Sequence, residues 1–225
     1  MSVISAAIRC AKYEWRAASP RKSRIWILGI LSFSTVCTLA GTALLFSFDQ
    51  TAGAVSTVPA RWPAASVIDR PARGGALLVF VHPYCSCTVA TLHEIASLSA
   101  GRNSQNGPPS TTVLFYRPKN SGWIPGNLWK EAEREIPGAR QIWDDDGREA
   151  KRFGARTSGY AVLYNANGGL LFKGGVTGSR GHEGDNLGLE QLRASIDTGR
   201  PAPRTSLVFG CALTGANVQQ TGENR

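Results

Sequence analysis

The sequence predicts an α/β domain, a mixed sheet flanked by helices, preceded by one transmembrane helix. Three observations predict it. No charged residue lies between Arg24 and Asp49, and a membrane span needs about 20 apolar residues. Ala76-Leu-Leu-Val-Phe-Val81 has the β-branched and aromatic bias of a buried strand and runs straight into Thr88–Leu98, where Leu92, Ile95, Ala96 and Leu98 fit one helical face. Further on, Tyr160–Tyr164 and Leu170–Lys173 are strand-like runs joined by Asn165-Ala-Asn-Gly-Gly169, a hairpin signal.

The apolar run, residues 25–48, is read as an uncleaved anchor. Ala52-Gly-Ala54 offers the alternative of a cleaved signal peptide, but the run is longer than the roughly 7–15 residues of a secretory apolar region. Residues 1–24 carry Arg9, Lys12, Arg16, Arg21, Lys22 and Arg24 against Glu14, whereas the next cation after the span is Arg61. That bias places the head in the cytosol and everything after Asp49 outside it, in the periplasm if the membrane is a bacterial inner membrane. The net charge of +9 is concentrated in that head; the exported part has no basic run, which excludes a nucleic-acid footprint.

Residues 49–73, rich in Ala, Pro, Ser and Thr, read as a flexible linker. The domain occupies 74–198. Its first strand and helix are followed by a loop over Gly101–Ser110, a strand over Thr112–Tyr116, and a helix over Leu128–Ile136 closed by Pro137-Gly138. Asp144–Gly147 forms a turn opening a short helix at Arg148–Phe153, then come the hairpin and a last amphipathic helix at Leu187–Ile196. The expected order is therefore β-α-β-α-α-β-β-α. Residues 199–225 form a tail whose apolar string Leu207–Leu213 is expected to pack in part on the domain.

A strand ending in a cysteine pair at a helix start, followed by DDDGREAKRFGARTSGYAVLYNANGGLLFKGG, resembles the thioredoxin-like superfamily over most of residues 76–198. More narrowly, HPYCSCTVATL, the stretch GGVTGSRGHEGDN at 174–186 and the tail VFGCAL at 208–213 resemble the RedB-type membrane-anchored thioredoxin-like proteins. The resemblance implies a thioredoxin-like fold. Two departures stand against that pattern: one residue, not two, separates Cys85 from Cys87, and Gly159 of Thr157-Ser158-Gly159 falls where a cis-proline is usual.

The chemistry rests on the cysteines. Cys10 lies in the head and Cys37 in the span, where it reads as a small packing residue. Cys85, Cys87 and Cys211 are exported, an odd number in a compartment where disulfides form. A thiolate at a strand-to-helix corner faces a helix N-terminus, which lowers its pKa. As a redox couple, Cys85 attacks and Cys87 resolves, in exchange with thiols or disulfides of another envelope protein. As a soft-metal site, Cys85 and Cys87 would bind copper(I) with His182 or Cys211 as a further donor. The third reading is a structural disulfide, or inert thiols in a binding domain.

His82 either tunes Cys85 or points to water, and His93, beside Glu94, is expected to be a solvated surface residue. His182, in the glycine-rich loop Gly181–Asp185, either lies in a mere connection or approaches the cysteine corner. Cys211 either rides on a packed tail or reaches that corner as a resolving thiol or third ligand. Asp144–Asp146 is read as a turn and cap, because hard-cation loops space their oxygen ligands more widely.

Overall fold

The computed structural model describes residues 20–54, 56–99, 108–119 and 127–213. The basic head up to residue 19, with Cys10, most of the 101–110 loop and the tail beyond 213 lie outside the described residues. Helix α1, Pro20–Asp49, includes the stretch Ser23–Asp49, which is long and apolar enough to cross a membrane and whose apolar window is unburied. A separate compact unit begins at Ser47.

That second unit is built on β1 (Ala76–Val81), α2 (Thr88–Ser99), β2 (Ser110–Arg117), α3 (Asn127–Glu135), β3 (Arg140–Asp145), α4 (Arg148–Arg152), β4 (Tyr160–Tyr164), β5 (Leu170–Gly174) and α5 (Leu187–Thr198). The sheet order is β3-β2-β1-β4-β5, with β1, β2 and β3 parallel and β4 and β5 antiparallel. Every residue of β1 is buried, as expected of a central strand covered on both faces. Leu77, Val79 and Val81 pack with Leu92 and Ile95 of α2 on one face, while Leu78 and Phe80 pack with Phe153 and Tyr160 on the other.

Strand β3 was not expected from the sequence. Its residues Arg-Gln-Ile-Trp-Asp-Asp are mostly half-buried at a sheet edge, so they show no apolar run; pairing with β2 makes the strand. Asp144 then caps α4, its two oxygens accepting the Glu149 and Ala150 N–H groups at 2.9 Å each, as a turn-and-cap reading requires. Burial raises the Asp144 pKa, partly offset by those N–H donors.

The expectation of a flexible linker at 49–73 is corrected: this stretch packs on the domain. Val58 and Ile68 are buried, and the Trp62 ring meets Phe153 and Tyr164 edge-on at 5.0 and 5.4 Å. The Tyr164 hydroxyl donates to the Pro59 carbonyl at 2.8 Å, and Arg61 bridges to Gly169. The composition hid this because the contacts come from isolated apolar residues with no period of their own. Trp62→Ala is therefore expected to cost about 2–4 kcal/mol, for loss of a packed ring, and to lower Tm by about 5–10 °C in thermal unfolding; an unchanged Tm would restore the tether.

Candidate functional site

Between β1 and α2 the chain makes two turns. Cys85 N–H donates to the His82 carbonyl at 3.0 Å, and Thr88 N–H to the Cys85 carbonyl at 3.0 Å. Cys85 is thus the last residue of the first turn, and both it and Cys87 precede the helix. A sulfur in this position lies at the positive end of the α2 dipole.

The segment that crosses behind this corner is 156–159, just ahead of β4. Gly159 N–H donates to the Phe80 carbonyl at 2.8 Å. The glycine has φ of +88°, and a Cβ there would stand 2.8 Å from the Thr91 hydroxyl, so neither proline, with its fixed negative φ, nor any larger residue fits in this conformation. Its neighbour Ser158 is the junction of the site. Its hydroxyl accepts the His82 N–H at 2.8 Å and lies 2.7 Å from the Thr88 hydroxyl. Its own N–H donates to the Cys211 carbonyl at 2.8 Å.

That last bond belongs to a short antiparallel pairing. Thr157 bridges Ala212, and Leu213 N–H donates to the Arg156 carbonyl at 2.9 Å. Val208, Phe209 and Leu213 are buried on the domain, and Gly210 runs so close that a Cβ would overlap the Ser158 carbonyl. The tail therefore carries Cys211 to the corner, whereas sequence left its place open.

Four donors converge on the Cys85 sulfur: the Cys211 thiol and backbone N–H, the Thr88 hydroxyl, and the Cys87 N–H. Together they overcome the opposing effect of burial and bring its pKa down to about 4, with the Cys211 thiol the largest cause. Cys211 is pushed up, first because its thiol is the donor to Cys85 and then by desolvation. Cys87 is pushed up by desolvation and by the Cys85 charge, and the Arg180 guanidinium partly offsets this by hydrogen bonding to it. Ser158, bonded to the His82 N–H and to the Thr88 hydroxyl, thus supports the side chain that helps lower the Cys85 pKa.

The remaining sequence candidates divide. His82 is buried and stacked on Tyr116 with ring centroids 5.9 Å apart; burial lowers its pKa, and its Nδ1 accepts the Tyr84 N–H. It is neutral near pH 7, so it contributes its backbone and not a charge. His182 is exposed, with Nε2 3.7 Å from Asp49, and makes no described hydrogen bond or ion pair with the cysteines. The loop instead contributes Arg180, whose Nη1 donates to the Gly210 carbonyl at 2.6 Å. Arg180 and Ser158 were missed: both sit inside segments singled out in the sequence, but neither is a nucleophile, acid or ligand that would draw attention alone.

His93 is not simply solvated. It bonds Glu183 at 2.7 Å and Glu131 at 3.3 Å, and Glu183 is the chief cause of its raised pKa. With Glu131 and Glu135 it forms a group whose ligand atoms lie within 4.8 Å of one another. Arg134 pairs with both of those glutamates, which partly offsets their charge.

No protein-family model matches this sequence, and comparison with curated proteins finds no match. Among solved structures the chain is similar to a hypothetical protein, SMc02350, of Sinorhizobium meliloti 1021, 15% identical at TM-score 0.55 over 71% of this chain and 96% of that one. It is also similar to an uncharacterised conserved protein of Geobacillus kaustophilus, 16% identical at TM-score 0.52 over 74% and 92%. A weaker overlap, at TM-score 0.39 and 15% identity over 56% and 82%, is with a secreted Mycobacterium tuberculosis disulfide oxidoreductase described as homologous to E. coli DsbE. The strand-helix-strand start, the closing hairpin and the last helix over one mixed sheet decide the fold. It is thioredoxin-like. Within that thioredoxin-like frame the cysteines occupy the strand-to-helix corner, and Gly210 lets the tail run close against Ser158.

Because Cys85 is held as the anion by donors, a thiolate absorbance near 240 nm is expected to appear as pH rises through about 4 and to vanish in Cys85→Ser. In Cys211→Ala the midpoint should move up by at least about one unit, since the chief donor is gone. A titration centred near the ordinary thiol value in the parent protein would remove the basis for an activated Cys85.

Proposed function

We propose that this protein is a membrane-anchored thiol-disulfide oxidoreductase whose internal nucleophile is Cys85. The observation that carries the reading is the gathering of three cysteines at one strand-to-helix corner, with one of them supplied with four hydrogen-bond donors. Thiolate is the reactive form in thiol-disulfide exchange, and a low-pKa thiol is also a good leaving group, so a stabilised Cys85 serves both directions. Cys87 is the sequence's candidate for the second sulfur. Supporting the RedB-type likeness, its three segments meet here: the Cys85 corner, the 174–186 loop through Arg180, and the tail through Cys211.

The apolar helix anchors the chain, with the basic head in the cytosol and the domain in the periplasm of a bacterial envelope, where dithiols and disulfides of other envelope proteins are the substrates. Copper(I) carriage is the weaker reading. Arg180 places a fixed positive charge against Cys87 and near Cys211, which favours thiolates but opposes a cation between them.

The full chain in detergent is expected to accelerate exchange with a self-quenched fluorescent disulfide of glutathione, without added metal. Cys85→Ser should lose at least about a hundredfold of that rate, as expected for removal of a nucleophile. A protein that leaves the reporter untouched but holds one copper(I) per chain against a chelator would turn the reading to metal carriage.

A further inference from the structure

We infer that the redox couple of this domain joins Cys85 to Cys211 and not to its near neighbour Cys87, with Cys211 the sulfur that meets the partner and Cys85 the buried sulfur released behind it. The inference rests on the thiol-disulfide exchange reading and assigns its second cysteine and the sulfur that meets the partner.

Access is the first argument. Cys85 is 1% exposed, whereas Cys211 is exposed. The tail that covers Cys85 is not a loose flap. Val208 and Leu213 are 1% exposed, the pairing with Arg156 and Ser158 holds one edge, and Gly53 N–H donates to the Val208 carbonyl at 2.7 Å on another. Lifting it would expose side chains whose burial contributes about 1.5–3 kcal/mol each. A partner's sulfur therefore reaches Cys211 without unfolding anything, and reaches Cys85 only by stripping the tail.

The second argument is the division of labour between the other two thiols. Cys87 sits within the turn that closes Thr88 N–H onto the Cys85 carbonyl, and it gives its own N–H to the Cys85 sulfur. Its sulfur interacts with Cys85 and with Arg180, but it leaves from the same tight turn as Cys85, where one residue separates the two. Cys211 approaches Cys85 from the opposite segment, with its thiol directed at that sulfur and its backbone fixed by Ser158.

The exchange balances as follows. A partner thiolate attacks Sγ of Cys211 in the Cys85–Cys211 disulfide; a partner–Cys211 disulfide forms, and the electron pair of the broken bond goes to Cys85. The partner's second thiolate then attacks its own sulfur in that mixed disulfide, and Cys211 leaves and takes up a proton. Two electrons pass from the partner dithiol to the domain, and a low-molecular-weight disulfide such as oxidised glutathione takes them off again.

The test uses the full chain in detergent with Cys10 and Cys37 changed to Ser, so that Cys85, Cys87 and Cys211 are its only thiols. It is equilibrated with reduced and oxidised glutathione, acid-quenched, alkylated and mapped by peptide mass spectrometry. The oxidised protein is expected to carry a Cys85–Cys211 link. Cys211→Ser should lose the two-electron couple, Cys87→Ser should keep the link at a shifted equilibrium, and Cys85→Ser should collect glutathione on Cys211. A Cys85–Cys87 link, or a couple that survives Cys211→Ser, overturns this assignment and leaves thiol-disulfide exchange standing. No glutathione-equilibrating couple in any of the proteins overturns both. The deciding map keeps all three site cysteines, so misfolding of a Cys85, Cys87 or Cys211 variant cannot decide the result.

Discussion

Ser158 ties three pieces of chain that are far apart in sequence: through its hydroxyl the β1–α2 corner at His82 and Thr88, and through its N–H the tail at Cys211. Each bond is ordinary, contributing about 0.5–1.5 kcal/mol net. Their consequence is geometric. The same residue that orders the donors on one side of the Cys85 sulfur sets the register of the strand that brings the donor on the other. Gly159 and Gly210 are the companions of that arrangement, one turning the chain at positive φ and the other letting two backbones touch.

A thiolate with 1% exposure would be costly if it depended on solvent. Among the described residues, no cation is a named cause of its lowered pKa. His82 is held neutral by burial, and Arg180 interacts with Cys87 and Cys211. The anion is therefore kept by neutral donors and the start of α2, a preorganised shell that needs no rearrangement when the charge arrives.

Much of the frame was legible in the sequence because β1, β4 and α2 announce themselves by unbroken apolar runs and helical spacing. Strand β3 was not, since an edge strand half-covered by neighbours can be built from Arg, Gln and Asp. The 49–73 stretch was misread for a related reason: Val58, Trp62 and Ile68 obey no period and are buried only because the domain surface is shaped for them. At the site, cysteines and histidines were visible as residue types. What could not be read was which of them the tail and the loop would bring to the corner; His182 and Arg180 are two residues apart, and only the latter reaches it.

The tail also explains how a cysteine pair one residue apart can stand where a two-residue spacing is usual. In a pair carried by one helix start, the spacing itself must let two sulfurs meet, and residues at i and i+2 do not share a helical face. Here the thiol that donates to Cys85 comes from residue 211, across a β-pairing whose register is fixed by Ser158 and Leu213. The spacing at the corner is thereby freed from that requirement. Cys87 can then serve as a turn residue whose N–H and sulfur shape the electrostatics of Cys85, linking it to Arg180. On this argument the functional unit is not the local motif but the corner together with the tail strand, and a chain cut short before Val208 would keep the motif and lose the site.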